Sequence, residues 1–220
     1  MKLIVFAMIE EAQESISNLN YSKVEHKFLH YYKNENSYLL ITGIGLVNAS
    51  FNLTAFLMNH EINEIINIGT AGSCSKILDV KDLVLIQKTY YSAADLTGFN
   101  YKYGQIPKEL EYYQDSGMIE KYQKILKDFE PKFSSLGSSD IFINDQSKFD
   151  NFVKKTDSSV EVFDMEGAAL FHVVKRFNKP MIIIKFISDN LLKENSEFQF
   201  DKFLQEISTK ISKILKPVLK

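Results

Sequence analysis

Three acidic stretches sit where apolar runs end, a place where a carboxylate can be shielded from water and still face a ligand. The first is Glu10–Glu11, which directly follows LIVFAM and Ile9. Acids in the first turn of a helix interact well with its dipole, by a few tenths to about 1 kcal/mol, and one acid suffices for that. The second can point back over the strand end and serve as a base. Next comes Asp164–Met165–Glu166, where the β-like VEVF run gives way to the apolar, helix-like GAALFHVV. The third stretch is Ser188–Asp189, which closes MIIIKFI, the most apolar run of the chain. Serine or aspartate in that position is often a cap or turn former. The alternative is a buried carboxylate whose surroundings tune it to hold or donate a proton.

Two further strand ends are rich in small residues. TGIGLVNAS places Gly43 and Gly45 before a helix-like stretch. Such a turn can cradle an anion at a helix N-terminus, but a dinucleotide fingerprint wants a third glycine where Asn48 stands, and a plain strand-to-helix turn uses the same glycines. INIGTAGS offers Gly69, Thr70, Ala71, Gly72 and Ser73, either an ordinary turn or a place where a ligand approaches the backbone at the carboxyl end of a strand. His172, among apolar residues, reads as a core or interface histidine. Cys74 has no partner histidine at a recognisable spacing and reads as a bystander. No G-x-S-x-G elbow, P-loop or H-E-x-x-H occurs, so serine hydrolase, NTPase and zincin readings lack their usual support.

Positioning these residues requires a sheet. Short apolar, β-branched runs, LIVFAM (3–8), YLLIT (38–42), EIINI (64–68), LVLI (83–86), VEVF (160–163) and MIIIKFI (181–187), alternate with stretches of helical length. The latter run from Glu10 to Asn18, Leu46 to His60, Ser116 to Phe129, Met165 to Phe177 and Phe200 to Leu219. Runs this continuous suit strands covered on both faces, and the alternation predicts an α/β sheet with helices on both sides. EHKFLHYYKNENSYLLITG predicts a hairpin, because NENS interrupts two strand-like runs. The segment from Thr89 to Gln114 is aromatic and without period, as functional or interface loops often are.

Composition narrows the class. With 220 residues, 45% of them hydrophobic, the chain can bury one large core, and a single domain over 1–220 is expected. The net charge of -2 and scattered lysines give no basic footprint for nucleic acid. No apolar stretch approaches the roughly 20 residues of a membrane span, and the N-terminal apolar run meets two acids without a small-residue cleavage site. One cysteine and four dispersed histidines provide neither an intrachain disulfide nor metal-ligand spacing. A soluble, cytoplasmic protein without metal or cofactor is the expectation.

In chain order, AMIEEAQ, TGIGLVNA, INIGTAG, DLTGFNYKYGQIP, DIFIN, FDMEGAAL, FISD and FQFDKFL resemble the nucleoside phosphorylase and nucleosidase superfamily. Within it they resemble the bacterial 5′-methylthioadenosine/S-adenosylhomocysteine nucleosidases. The blocks span nearly the whole chain, and GFNYKYGQIP and DMEGAA are the most specific of them. The resemblance implies one α/β domain with a mixed, partly barrel-like sheet flanked by helices, a homodimer, and cofactor-free hydrolysis of the N-glycosidic bond of a 5′-substituted adenosine. 5′-Methylthioadenosine, S-adenosylhomocysteine and 5′-deoxyadenosine are the candidate substrates.

Residue by residue, the resemblance implies that Asp189 assists protonation at purine N7 and that Glu11 activates the attacking water. Glu166 would accept hydrogen bonds from the ribose hydroxyls and Met165 would pack on the sugar, leaving Asp164 structural or solvated. Phe142 would stack on adenine, the Ile143 backbone would bond its edge, and Ser188 and Thr70 would lie nearby. Met8, Ile44 and Phe200 would line the 5′ pocket, which Phe99, Tyr101 and Pro107 of a partner chain would close. Phosphorylases of the superfamily hold phosphate with arginines; the single arginine, Arg176, lies in KRFNKP away from every strand end. Hydrolysis is therefore favoured over a purine nucleoside phosphorylase, and retention of all three acids argues against a catalytically weak nucleoside-binding dimer. The chain departs from the family pattern at Lys185, where an arginine is common, at Ser92, where a histidine is, in GTAGS for GTAGG, and in SDNLLKEN, which lacks a second aspartate.

Overall fold

The computed structural model describes residues 1–193 and 200–219, and of residues 200–202 the backbone only. Its strands are β1 (Lys2–Phe6), β2 (Ser22–Val24), β3 (His30–Lys33), β4 (Ser37–Ile41), β5 (Glu64–Ser73), β6 (Leu83–Tyr91), β7 (Lys132–Ser138), β8 (Val160–Asp164) and β9 (Met181–Asn190). The helices are α1 (Ile9–Asn18), α2 (Leu46–Leu57), α3 (Ser116–Ile125), the short α4 (Gln146–Lys148), which runs into a π-turn over Phe149–Val153, α5 (Gly167–Arg176) and α6 (Phe200–Val218). All nine strands join one sheet in the order β2-β3-β4-β1-β5-β8-β7-β6-β9, and β9 pairs back onto β5. That last pairing closes β5, β8, β7, β6 and β9 into a five-stranded mixed barrel, with β1, β4, β3 and β2 extending from β5.

The continuous apolar runs are explained by burial on both faces. Ile65 and Ile183 point into a core shared with Leu53 and Phe56 of α2 and Leu170 and Val174 of α5. Their neighbours Ile66, Ile182 and Ile184 point into a second core with Ala12 of α1, Tyr122 of α3 and Ile207, Ile211 and Ile214 of α6. Successive strand residues face opposite sides, so a strand between two helical layers favours apolar residues at successive positions. The α6 spacing of four and three residues is one helical stripe. No described helix is long and apolar enough to cross a membrane.

The hairpin forms as expected, with His30 opposite Ile41 and the Asn34 side chain accepting from the Asn36 and Ser37 N–H groups in the turn. Three expectations need correction, and one strand was not expected at all. GTAGS is not a turn: β5 continues through it to Ser73, with a bulge between Ala71 and Gly72 where it pairs with β9. Ser188 and Asp189 likewise lie inside β9 rather than in a cap. The run LVLI extends to Tyr91, taking the start of the aromatic segment into β6, where Thr89 bridges Tyr113. β7, KFSSLGS, is too polar to be read from its sequence, yet Ser134, Ser135 and Ser138 are all buried in it.

Candidate active site

The carboxyl ends of β1, β5, β8 and β9 surround a cleft of about 1110 Å³. Each strand delivers a different group. The chain leaves β1 through Ala7 and Met8 and turns at once into α1, so Glu10 faces outward while Glu11, at 2% exposure, faces in. Glu11 Oε1 accepts the Thr70 backbone N–H at 2.7 Å and the Thr70 hydroxyl at 2.8 Å. Its other oxygen, Oε2, is buried without a hydrogen-bonding partner among the described residues. Burial raises the Glu11 pKa, opposed by the charge of Lys185 and by the hydrogen bonds from Thr70 and the Met8 backbone. A carboxylate held this way is a stronger base than one in water.

The glycines of β5 serve this arrangement first. A Cβ on Gly69 would sit 2.9 Å from both Glu11 oxygens, and one on Gly72 would sit 2.1 Å from the Phe163 ring. Their smallness makes room for the protein's own side chains, which the expectation of direct ligand approach did not foresee. Thr70 lines the cleft but directs both its donors at Glu11, so it acts through that acid.

Glu166 and Asp164, two residues apart where β8 meets α5, have different surroundings. Glu166 is 5% exposed, and its Oε1 accepts the Gly45 N–H at 2.9 Å. Gly45 has φ +99°, a conformation costly to other residues, and the Leu46 N–H beside it donates to Asp140 Oδ1 at 2.7 Å. Burial, and then the charge of Asp164, push the Glu166 pKa up to about 7 against the pull of Lys185 and Gly45. Asp164 is the better satisfied of the two. It accepts the Ser138 hydroxyl at 2.5 Å and the Gly167 N–H at 3.1 Å, and it pairs with Lys185 Nζ at 2.8 Å, both side chains being almost fully enclosed. Of the two readings of Asp164, structural or solvated, its enclosure removes the solvated one. Lys185 was noticed only as a departure from a family pattern, yet it is the cation around which the buried acids gather. Burial lowers its pKa, but Asp164, Glu166 and Glu11 outweigh that and hold it above the ordinary lysine value.

Further along β9, Ser188 Oγ lies 2.5 Å from Asp189 Oδ1 and 3.1 Å from the Ala71 carbonyl. Burial raises the Asp189 pKa, offset in part by the serine hydroxyl. Met8, Ile44, Phe142, Ile143 and Met165 line the cleft as well, with Phe142 67% and Ile44 49% exposed at its mouth. The Phe200 side chain falls outside the described residues; Phe203, one turn on, lines the cleft. Phe99, Tyr101 and Pro107 do not line it, and Phe99 is 76% exposed. Arg176 pairs with Glu109, His172 hydrogen-bonds Tyr113 at 2.9 Å, and Cys74 contacts Gln146; all three stand outside the cleft.

A family model described as the phosphorylase superfamily matches residues 3–220. A curated 5′-methylthioadenosine/S-adenosylhomocysteine nucleosidase of Buchnera aphidicola subsp. Schizaphis graminum is 33% identical over 229 residues, covering 100% of this chain and 97% of the relative. Among solved structures, the 5′-methylthioadenosine/S-adenosylhomocysteine nucleosidase of Campylobacter jejuni superposes with a TM-score of 0.89 at 23% identity, over 99% of this chain and 97% of that one. The S-adenosylhomocysteine nucleosidase of Streptococcus pyogenes, in complex with 5-methylthiotubericidin, gives 0.86 at 28% identity, over 99% and 95%.

Proposed function

The chain belongs to the phosphorylase superfamily and, within it, to the 5′-methylthioadenosine/S-adenosylhomocysteine nucleosidase family, and from that premise we propose that it hydrolyses the N-glycosidic bond of those two nucleosides. One observation carries the reading: Glu11, Glu166 and Asp189, from three separate parts of the chain, converge on one cleft with an apolar lining.

The reaction needs a proton for the leaving base, a nucleophilic water and a grip on the sugar. Asp189, its pKa raised by burial, holds a proton more readily than a solvated aspartate and delivers it to purine N7, so that adenine leaves neutral. The glycosidic C–N electrons go to the base, and the ribosyl group takes on oxocarbenium character. Glu11 Oε2 orients a water and takes its proton as the oxygen bonds to the anomeric carbon. Glu166, with Oε1 tied to Gly45, accepts from the ribose hydroxyls, and Met165 packs beneath the ring. Phe142 stacks on adenine, whose edge meets the Ile143 backbone next to Ser188, while Met8 and Ile44 receive the 5′ substituent.

Water rather than phosphate as nucleophile is supported by charge. Glu11, Asp164, Glu166 and Asp189 line the cleft around one enclosed cation, Lys185; the more exposed lining lysines, Lys81 and Lys193, pair with Glu206 and Asp79, and Arg176 is engaged elsewhere. A homodimer is supported by exposed apolar side chains: Phe28, Val47 and Phe51 form one face, with the Phe28 and Phe51 rings 5.7 Å apart. In that dimer Phe99, Tyr101 and Pro107 close the partner's 5′ pocket. Incubating the protein with 5′-methylthioadenosine, with and without phosphate, tests the reading. Adenine and free methylthioribose, formed independently of phosphate, are expected; a sugar 1-phosphate, or no release, would overturn it.

A further inference from the structure

Three enclosed carboxylates, Glu11, Asp164 and Glu166, face one enclosed ammonium, Lys185, and the ammonium is not shared evenly. It makes an ion pair with Asp164 at 2.8 Å, while neither Glu166 nor Glu11 lies within ion-pair distance of it. Asp164 also collects the first N–H groups of α5, from Glu166 at 3.3 Å and Gly167 at 3.1 Å, and the Ser138 hydroxyl at 2.5 Å. Ser138 in turn accepts the Ala168 N–H at 3.0 Å, so strand β7, strand β8 and the start of α5 are locked around this one carboxylate. Glu166, by contrast, accepts one protein hydrogen bond, from Gly45.

We propose that Asp164 is a positioning residue for the neighbouring Glu166: by engaging the Lys185 ammonium and the α5 N-terminus itself, it denies Glu166 an ionic partner and leaves that carboxylate free for a ligand. The alternative packing, with Lys185 turned to Glu166, would neutralise Glu166 and occupy the oxygen that a ribose hydroxyl needs. The arrangement has a price in charge, because Asp164 adds its negative field to Glu166 without sharing its cation. The charged and polar groups that face Glu166 are Asp164 from β8, Lys185 from β9, Glu11 from α1 and the Gly45 N–H before α2, with Asp140 holding the same turn from the loop after β7. Of these, Asp164 and Lys185 act on Glu166 in opposite directions.

The inference rests on the reading of Glu166 as the sugar-side carboxylate, so its test does not depend on turnover. Glutamate labelled with ¹³C at the side-chain carboxyl is incorporated into the full chain, Glu166→Gln assigns the resonance, and its titration midpoint is followed by NMR. Asp164→Asn should lower the midpoint by about one pH unit or more, the scale set by one charge at close range, because a negative neighbour is lost and Lys185 is released. Lys185→Met should raise it, and Lys185→Arg should leave it near the original value. If Asp164→Asn does not fold, the two lysine variants still decide the matter.

Midpoints that stay within a few tenths of a unit, or that move the same way in Asp164→Asn and Lys185→Met, would overturn the proposal. The acid limb of kcat/KM should follow the NMR midpoints; a merely structural Asp164 would lower kcat/KM at every pH without moving the limb. Absence of nucleoside hydrolysis in the wild-type chain would remove the proposed function and leave the NMR result to be judged by itself.

Discussion

Strand β5 carries one buried glutamate, Glu64, at its start, while two more, Glu11 and Glu166, lie at the cleft toward its other end, and the two regions differ in how the carboxylate oxygens are satisfied. At its start, Glu64 receives the Tyr122 hydroxyl on one oxygen and Lys121 Nζ on the other. Burial pushes the Glu64 pKa up, but those hydrogen bonds, with the charges of Lys121 and Lys2, more than reverse it, and the group sits below its ordinary value. Past the middle of the strand, Gly69 and Thr70 hold Glu11, which keeps one buried oxygen unpartnered. Beyond it, Glu166 has a single protein hydrogen bond and a pKa near 7. The same residue types thus make a closed structural knot at one end and an under-satisfied site at the other. What separates them is whether every oxygen has a protein donor: both Glu64 oxygens do, whereas Glu11 takes both of its donors on Oε1 and Glu166 receives one, on Oε1. An acid with all its donors is finished as a piece of structure, while one left short of them can still take a proton, a water or a hydroxyl.

The sharpest way to break this comparison is to remove the proton carrier. Asp189→Asn should lower kcat by about 10²-fold or more, the scale of general acid catalysis, while the thermal melting curve stays close to wild type; equal turnover would end the acid role. Changes at the two glutamates should part cleanly. Glu64→Ala strands the buried Tyr122 hydroxyl and should cost about 1–3 kcal/mol in denaturant unfolding with kcat/KM preserved. Glu166→Gln should lower kcat/KM by about tenfold or more, the value of a hydrogen bond to a charged group, without lowering stability at neutral pH.

The pH dependence of stability should carry opposite signs at the two ends. The Glu64 pKa is depressed by folding, so its contribution is present above the unfolded value of 4.5 and disappears as pH falls below it. Glu166 titrates near 7 when folded and near 4.5 when unfolded, so it favours unfolding progressively as pH rises through that interval. Denaturation curves of Glu166→Gln should therefore lose less stability than wild type between about pH 4.5 and 7; parallel curves would mean that Glu166 is not perturbed. The smallest effect is expected for Lys121→Met. Lys121 is 44% exposed, so removing its charge should cost no more than about 1 kcal/mol, and a larger loss would make the lysine, not Tyr122, the main support of Glu64.

Much of this molecule could be read without its coordinates, and the parts that could not share a cause. The central strands and the major helices announce themselves because period and residue type are local properties: Ile182 to Ile184 are apolar in succession since both faces of β9 are covered. β7 escaped because its buried serines carry no such pattern, and their burial depends on neighbours β6 and β8. Glu11, Glu166 and Asp189 were legible as acids at strand ends. Lys185 was not legible as the cation that pairs with Asp164 and acts on Glu166 and Glu11, because a lysine in an apolar strand looks like a gap in the pattern until its partner is known.

By itself, then, the sequence determined the five longer helices, the apolar strand cores, the hairpin and the set of groups available for acid–base work. Only the tertiary structure decided that β9 pairs with both β5 and β6 and so closes the barrel, that GTAGS and the Ser188–Asp189 pair belong to strands, and which acid receives the lysine. Those decisions join residues far apart in the chain: Asp164 and Lys185 meet only because β8 and β9 both flank the end of β5. A charge in that place is worth what its neighbours make it worth, and the neighbours are chosen by the closure of the sheet.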